Sequence, residues 1–257
     1  MTLLQAQGLT RRYKLPRTTV FGAAPVLTAV ADVSFDITAG QTLGVVGESG
    51  SGKSTLAKMA MAFEAPDAGQ ILFEGQDIHA LGPADLRRLR PDFQMIFQDP
   101  FSSLDPRRKV GWSIAEPLRA MGQTAPDRVA EAFEQVGLHP ADGDKYPHEF
   151  SGGQRQRIAI ARAIITRPKL LIADEAVSAL DVSVQAQILN LLMDLQDTLG
   201  LGILFISHDL AVVASICDTL LVMQHGQALE YGAASDILNN PTHAYTRSLL
   251  TAAGDML

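Results

Sequence analysis

Cysteine is almost absent from this sequence of 257 residues, which contains only Cys217. One cysteine cannot form an internal disulfide or a cluster of several cysteine ligands, and it favours a reducing compartment. The sequence also lacks any unbroken run of about 18 apolar residues, the length that a membrane-spanning helix needs. Residues 1–5 lack the charged region and the apolar run of a signal peptide. If the protein serves a membrane, we therefore expect it to do so through partners.

An excess of positive charge is absent as well. The chain has 21 Lys and Arg against 28 Asp and Glu, a formal net charge of −7. This balance argues against a general binder of nucleic acids or of anionic membranes. Apolar residues make up 47% of the chain and charged residues 19%, which is typical of a globular protein. The length suffices for one large domain or two small ones.

A glycine-rich stretch fits the phosphate-binding pattern G-x-x-x-x-G-K-[ST]. Its residues are Gly47, Glu48, Ser49, Gly50, Ser51, Gly52, Lys53, Ser54 and Thr55. A strand is predicted before it at 42–46 and a helix after it at 56–62, which is the context that a P-loop needs. Glycines let the backbone approach phosphates, Lys53 adds positive charge, and the Ser54 hydroxyl can bind Mg²⁺. This context weighs against the alternative, a glycine-rich turn that binds nothing.

The rest of the pattern predicts strands around a helical insertion. Strands are expected at residues 3–13 (as an edge strand), 33–37, 70–73, 93–97, 169–173 and 202–207, with a hairpin at 220–223 and 228–231. Helices are expected at 83–89, 182–199, 234–238 and 243–250, and residues 14–27 form a loop. From residue 98 to about 168 the pattern is helical without a convincing strand, and Ile114, Leu118 and Met121 are spaced for one helix face. We interpret this stretch as an inserted helical subdomain.

Two acidic residues, Asp174 and Glu175, follow the apolar strand predicted at 169–173. A carboxylate at the carboxyl end of a strand beside a P-loop is placed to bind Mg²⁺, and a second one can polarise an attacking water. The alternative is a pair of surface acids at a strand end. The P-loop upstream in the same chain favours the first interpretation.

A second anion site is predicted where a helix begins with Ser151, Gly152, Gly153 and Gln154. Small residues at a helix start leave N–H groups open at the positive end of the helix dipole. Ser151 also suits the role of helix N-cap, and the two roles do not compete. Two anion sites in one chain suggest that one nucleotide is gripped by two subunits.

Together these residues resemble the ATP-binding subunits of ABC transporters. Residues 150–154 match the family's signature, although Phe150 stands where Leu is usual. The other matches, in order along the chain, are Tyr13 with the aromatic residue that lies against adenine, Gln98 with the Q-loop, Asp174 and Glu175 with Walker B, Ser178–Asp181 with the D-loop, and His208 with the switch histidine. Ala176 departs from the Pro that is frequent in the wider family. The resemblance covers essentially the whole chain.

The resemblance implies a single ABC ATPase domain, 1–257, of the α/β class. Its P-loop NTPase (RecA-like) core, with a mainly parallel sheet and an antiparallel β subdomain, is expected at 1–97 and 169–257. The inserted helical subdomain, which carries the signature, is expected at 98–168.

The resemblance also implies that two such subunits close head to tail around two molecules of ATP with Mg²⁺. Lys53 and the N–H groups of residues 50–55 would then hold the β- and γ-phosphates. Ser54, Gln98 and Asp174 would reach the metal. The chemistry would consist mostly of placement and charge neutralisation.

In the same arrangement, Glu175 is the expected general base on the lytic water. His208 would contact the γ-phosphate and sense closure through Asp181 of the other subunit. Ser151 and Gly153 would complete the site of that subunit, next to Gly152 and Gln154. The expected catalytic groups are Glu175, His208, Gln98 and Lys53.

Residues 97–106, 146–150, 179–187 and 240–246 resemble the dipeptide, oligopeptide and nickel uptake branch, with Ala244 in place of a usual Pro. The implied function is an ATPase subunit that energises import of peptides or a related small solute. The implied partners are a second ABC ATPase subunit (a paralogue or the same chain), two integral membrane permease subunits and, indirectly, an extracytoplasmic solute-binding protein, but no nucleic acid. The implied location is peripheral, at the cytoplasmic face of the inner membrane.

Phe101 and the basic run Arg107–Lys109 are candidate permease contacts, although the basic run equally fits a solvated loop. Other functions stay open as alternatives. A soluble ABC ATPase acting on nucleic acid or in translation usually has tandem cassettes or large inserted domains, unlike this chain. An efflux-type subunit disagrees with the peptide-branch motifs, and a degenerate binding module disagrees with the intact motif residues. Peptide, nickel, opine and glutathione importers share this type of subunit, so the solute stays open.

Overall fold

The computed structural model of the chain describes residues 2–16, 24–99 and 104–254. It forms two compact units, Met1–Gly82 with Leu204–Leu257, and Pro83–Ile203. The first unit contains strands β1 (Thr2–Lys14), β2 (Val26–Thr38), β3 (Thr42–Val46), β4 (Ala68–Phe73), β5 (Gln76–Asp77), β9 (Thr219–Gln224) and β10 (Gln227–Ala233), with helices α1 (Lys53–Ala60), α7 (Leu210–Ile216), α8 (Ala234–Asn239) and α9 (Ala244–Gly254). The second contains β6 (Phe93–Ile96), β7 (Leu170–Asp174), α2 (Pro83–Leu89), α3 (Val110–Ala120), α4 (Pro126–Gln135), α5 (Gly152–Ile164) and α6 (Val182–Leu199). The boundary falls within β8 (Gly202–Ser207).

The strand β1 lies inside the antiparallel sheet of the first unit, whose order is β2-β1-β4-β5. It pairs with β2 on one side and β4 on the other, so that Leu4 lies opposite both Ile37 and Phe73. The predicted edge position of this strand is therefore wrong. Its moderate alternation indicates one buried face, and an inner antiparallel strand shows the same alternation as an edge strand. The pairing of Lys14 with Val26 also makes β2 longer than the predicted 33–37.

The second sheet of the first unit positions the P-loop. Along the order β10-β9-β3-β8, β3 is parallel to β9, with Leu43 opposite Thr219 and Val46 opposite Val222. Every residue of β3 and of β8 is buried, which explains their nearly continuous apolar sequences. The P-loop follows β3 and His208 follows β8, so the two predicted site segments leave neighbouring strands.

In the second unit, β6 and β7 form a parallel pair, with Phe93 opposite Leu170. Between them, the described residues 97–99 and 104–169 include helices and 3-10 turns but no strand, which confirms the helical pattern predicted there. The limits of the subdomain, 98–168, stay a prediction. None of the helices in the described ranges has the length and apolarity that crossing a membrane requires.

The face predicted for α3 is partly wrong. Ile114 and Leu118 are buried, as expected, but Met121 is 41% exposed. The reason is that α3 ends at Ala120 and Met121 forms its C-cap, so the helical spacing no longer places that side chain on the buried face.

The helix α7 has no counterpart among the predicted elements. It begins at Leu210 after Asp209, whose carboxylate accepts the backbone N–H groups of Ala211 at 2.9 Å and Val212 at 3.3 Å. An aspartate directly before an apolar run is the N-cap signal that identifies such a helix in a sequence.

Candidate functional site

Two glycines of the P-loop lie directly against neighbouring backbone. A Cβ atom on Gly47, whose φ is 153°, would lie 2.1 Å from the carbonyl oxygen of Met223. A Cβ atom on Gly52, whose φ is 107°, would lie 2.2 Å from the carbonyl oxygen of Ala29. No side chain fits at either distance, so the loop owes its path to glycine at these two positions.

Lys53 is the first residue of α1 and is only 4% exposed. Its Nζ donates to the carbonyl oxygens of Gly47 at 2.6 Å and Glu48 at 2.8 Å. A buried ammonium needs such acceptors. The N-cap of α1 is Gly52, which provides no side-chain hydrogen bond to the first turn. An ammonium held beside a helix start that has no capping side chain is suited to bind an anion.

The hydroxyl of Ser51 is a second indication of a polar ligand. The side chain is 4% exposed, and its Oγ has no hydrogen-bond partner among the residues that the structure describes. The backbone of Ser51 is satisfied, since its N–H donates to Glu48 at 3.2 Å and its carbonyl accepts from Gly226 at 3.0 Å. An unpaired buried hydroxyl costs about 1–3 kcal/mol, which a phosphate oxygen in the loop would offset.

Sequence patterns did not connect the C-terminal motif at 240–246 with the P-loop. In the structure, the backbone N–H of Glu48 donates to the hydroxyl of Tyr245 at 2.9 Å. Burial raises the pKa of Tyr245. No spacing rule links residues 197 positions apart, so only the fold reveals this contact.

Tyr13, the predicted adenine contact, lies near the end of β1 in the first unit. Its hydroxyl donates to the carboxylate of Glu64, and this hydrogen bond is the main reason that the pKa of Glu64 is lowered. The guanidinium carbon of Arg11 lies 5.0 Å from the centre of the Tyr13 ring, within the range of a cation–π contact. The ring is therefore fixed at its hydroxyl and on one face.

In the second unit, the structure brings together Gln98 and Glu175, which were predicted from separate motifs. The Nε2 of Gln98 donates to Oε2 of Glu175 at 3.0 Å and lies 3.4 Å from Oγ of Ser178. Ser178 in turn donates from its N–H and its hydroxyl to the carbonyl oxygen of Glu175, at 3.1 Å and 3.0 Å. Both the carboxylate and the backbone carbonyl of Glu175 are thus oriented by hydrogen bonds from neighbouring residues.

The predicted second anion site opens α5 with a reciprocal cap. The hydroxyl of Ser151 accepts the N–H of Gln154 at 3.3 Å, and the Gln154 side chain accepts the N–H of Ser151 at 3.0 Å. Both side chains are exposed. Asp181 caps α6 in a similar way, since its carboxylate accepts the N–H of Val184 at 2.9 Å. A Cβ atom on Gly153 would lie 2.4 Å from Cγ1 of Val184, so these two helix starts are packed closely.

The residues predicted to bind Mg²⁺ carry oxygen donors of the type that this ion prefers, a hydroxyl, an amide and a carboxylate. Ser54 belongs to the first unit and Gln98 and Asp174 to the second. Across residues 2–16, 24–99 and 104–254, no group of three or more His, Cys, Asp and Glu side chains converges as metal ligands. Magnesium sites that are completed by phosphate oxygens do not need such a group.

Of the candidate permease contacts, the structure describes the basic run Arg107–Lys109. Phe101 lies outside the described residues. The basic run is engaged locally: Arg107 pairs with Asp105 at 3.2 Å and Lys109 with Asp144 at 2.7 Å. The guanidinium of Arg108 lies 4.7 Å from the centre of the Trp112 ring. All three basic side chains therefore have partners within the second unit.

Comparison with known proteins gives a family and close relatives. The sequence model of the family described as ABC transporter matches residues 30–178. The glutathione import ATP-binding protein GsiA of Salmonella paratyphi A is 51% identical over 254 residues, which make up 97% of this chain and 41% of that protein. The chain therefore spans about two-fifths of the length of the curated relatives it matches.

Two solved structures share the fold. The structure of cbiO1 from Clostridium perfringens, described as part of the ABC transporter complex cbiONQ, has a TM-score of 0.79 at 27% identity and covers 93% of this chain and 91% of its own. The dimeric structure of MJ0796, described as a bacterial ABC transporter cassette, has a TM-score of 0.78 at 25% identity and covers 90% and 99%. Both likenesses extend over nearly the whole length of each chain.

Proposed function

The chain belongs to the ABC transporter family and has the α/β fold of its ATPase cassettes, and from this premise we propose that it binds and hydrolyses ATP to energise an importer. The observation that carries the proposal is Lys53, a nearly buried ammonium held by the carbonyls of Gly47 and Glu48 at the start of α1. This arrangement favours a polyphosphate over a neutral ligand because positive charge and N–H groups converge on one loop.

The roles that we propose for the first unit concern binding. The N–H groups of residues 50–55 and Lys53 hold the β- and γ-phosphates, and Tyr13 stacks on the adenine. His208 contacts the γ-phosphate. The unpaired hydroxyl of Ser51 and the rigid hold on the Tyr13 ring support these assignments.

The roles that we propose for the second unit concern hydrolysis. Glu175 accepts the proton of the lytic water, and Gln98, which donates to its carboxylate, keeps that carboxylate in place. Gln98 and Asp174 bind Mg²⁺ together with Ser54 of the first unit, and this ion when bound neutralises charge on the phosphate oxygens. Ser151, Gly152, Gly153, Gln154 and Asp181 complete the site of a second subunit. All of these except Gly153 are exposed at the starts of α5 and α6, which supports this role.

We propose a peptide or a chemically related small solute as the transported cargo. The support is the likeness to a protein named for glutathione import, since glutathione is itself a tripeptide. The proposed partners are a second ATPase cassette, two permease subunits and, indirectly, a solute-binding protein outside the membrane. The proposed location is peripheral, at the cytoplasmic face of the inner membrane.

The test is hydrolysis of ATP by the purified chain, with Glu175→Gln as the diagnostic variant. We expect the variant to lose at least about a hundredfold in rate, because it lacks the general base, while it still binds ATP and forms a dimer only when ATP is present. Phosphate release, nucleotide binding and mass in solution measure these three properties.

The matched control is Glu134→Gln, the same change at an exposed position of α4 in the same unit, which should hydrolyse ATP like the wild type. Absence of ATP binding by the wild type would refute the proposal. Binding without hydrolysis or dimerisation by the isolated chain would instead indicate a different partner cassette, and co-expression with that partner should then restore hydrolysis.

A further inference from the structure

The P-loop is tied to the C-terminal part of the chain by a hydrogen bond between Glu48 and Tyr245. Resting on the proposed ATP site, we infer that Tyr245 is a positioning residue for the P-loop: its hydroxyl fixes the peptide group whose carbonyl holds Lys53. Nucleotide affinity then depends on the segment 240–254 as well as on the P-loop itself.

A single peptide group, the one that joins Gly47 to Glu48, connects Lys53 with Tyr245. Its carbonyl oxygen accepts from Nζ of Lys53 at 2.6 Å, and its N–H donates to the hydroxyl of Tyr245 at 2.9 Å. Because a trans peptide is planar, these two groups point in opposite directions. The peptide group is therefore held at its carbonyl and at its N–H. Its orientation determines where the carbonyl oxygen that accepts from Lys53 lies.

This peptide is one that could otherwise rotate. Gly47 precedes it, and glycine permits a wide range of backbone angles. The side chain of Glu48 is exposed and does not restrain it from outside. The hydroxyl of Tyr245, on a side chain that is 8% exposed, is thus the restraint on the N–H end of the peptide.

Tyr245 is itself held firmly. The carboxylate of Glu230, on β10, accepts the backbone N–H groups of His243 at 2.6 Å and Thr242 at 3.2 Å. The N–H of Tyr245 then donates to Nδ1 of His243 at 3.1 Å. Arg247 donates to the carbonyls that precede the helix, at 2.9 Å and 3.0 Å. These bonds fix the first turn of α9 and with it the tyrosine ring.

The decisive variant is Tyr245→Phe, which keeps the ring and removes only the hydroxyl. A hydrogen bond of this kind contributes about 1 kcal/mol, so we expect the dissociation constant for ATP to rise about three- to tenfold. The maximal hydrolysis rate should stay within about twofold, since Glu175 and the groups around it are untouched. Calorimetric titration with ATP and Mg²⁺ and steady-state kinetics measure the two quantities.

The matched control is Tyr231→Phe. The hydroxyl of Tyr231 also accepts a backbone N–H, that of Asp36 at 3.1 Å, and this bond joins β10 to β2 in the same unit rather than to the P-loop. This variant should bind ATP like the wild type. Equal affinity of Tyr245→Phe and wild type, or equal weakening in both Phe variants, would overturn the inference. Wild type that binds no ATP would instead refute the proposed function, so the two failures are distinguishable.

Hydrogen exchange at the Glu48 amide tests whether the Tyr245 hydroxyl holds this N–H, even if Tyr245→Phe folds poorly. In the full-length wild type without nucleotide, this amide should be protected, because its hydrogen bond ends on a buried side chain. An amide that exchanges as fast as those of exposed loops would overturn the inference. Loss of protection in Tyr245→Phe, with protection kept in Tyr231→Phe, is the expected result.

Discussion

At the scale of single residues, the backbone of Glu175 shows how the side chain proposed as general base is held. Its φ is 49°, a left-handed conformation that residues other than glycine seldom adopt and that stores about 1–3 kcal/mol. Ser178 donates twice to the carbonyl of this residue and Gln98 donates to its carboxylate. The strained conformation persists because neighbours hold both ends, and the carboxylate is thereby kept in one place.

Gly47 supports a prediction that separates steric exclusion from backbone preference. Gly47→Ala would place a Cβ atom 2.1 Å from the carbonyl oxygen of Met223, whereas Gly50→Ala would meet no atom of the described part of the chain within 4 Å, although its φ is also positive, at 82°. We expect Gly50→Ala to lower the free energy of unfolding by about 1–2 kcal/mol and Gly47→Ala to lower it by clearly more, with loss of ATP binding. Thermal denaturation and nucleotide titration measure both. Equal effects would mean that the clash is relieved by the loop.

At the scale of elements, sequence patterns succeeded for fully buried strands and for clearly periodic helices, and failed where the pairing of strands decides. The buried strands β3 and β8 and the helix α6 match the predicted ranges to the residue, because continuous apolar runs and helical spacing are strong signals. The predicted edge position of β1 was wrong, since the alternation of its residues carries no information on how many neighbouring strands it has. The helix face predicted to include Met121 was wrong because α3 ends at Ala120, and Gly122, whose φ is 72°, is the stop signal that follows it.

The anchoring of α9 supports a prediction on pH. Burial disfavours the charge of Glu230, but hydrogen bonds, of which the one from the N–H of His243 contributes most, together outweigh it, so the pKa of Glu230 is lowered. A carboxylate with a lowered pKa stabilises the folded chain above its unfolded pKa, about 4.3, and this stabilisation is lost as pH falls through the folded value.

We therefore expect Glu230→Gln to be less stable than the wild type at neutral pH, and the difference to shrink as the pH falls below about 4. Melting temperatures across this pH range measure it. Glu134→Gln, at an exposed site on α4, is the control for the loss of one negative charge. A constant difference between Glu230→Gln and wild type at every pH would contradict the explanation.

At the scale of the whole molecule, an exposed apolar side chain marks the surface expected to meet a second cassette. Val182 is 82% exposed and directly follows Asp181 at the start of α6. We expect Val182→Asp to prevent the ATP-dependent dimer of the Glu175→Gln variant while ATP binding and melting temperature stay unchanged. Mass in solution with and without ATP measures this. Val26→Asp, at a position 56% exposed on β2, should leave the dimer intact, and loss of the dimer in both would point to a nonspecific effect of charge.

The candidate site could be predicted only in part. The P-loop, Asp174 with Glu175 and the Ser151 helix start follow from local patterns, because their chemistry depends on neighbours in sequence. The contact between Gln98 and Glu175 was not predicted, since it joins residues 77 positions apart. The bond from Glu48 to Tyr245 was hidden for the same reason. Long-range hydrogen bonds depend on topology, which residue spacing does not reveal.

The residues that surround the P-loop limit how far this chain can be shortened while the shape of the loop is kept. The stretch that matches the family ends at residue 178, but the carbonyl that Gly47 lies against belongs to Met223, Ser51 accepts from Gly226, and Glu48 donates to Tyr245. A fragment cut after Asp174 and Glu175 would contain the P-loop sequence without the residues that surround and shape the loop. The smallest autonomous cassette must therefore reach the first turn of α9.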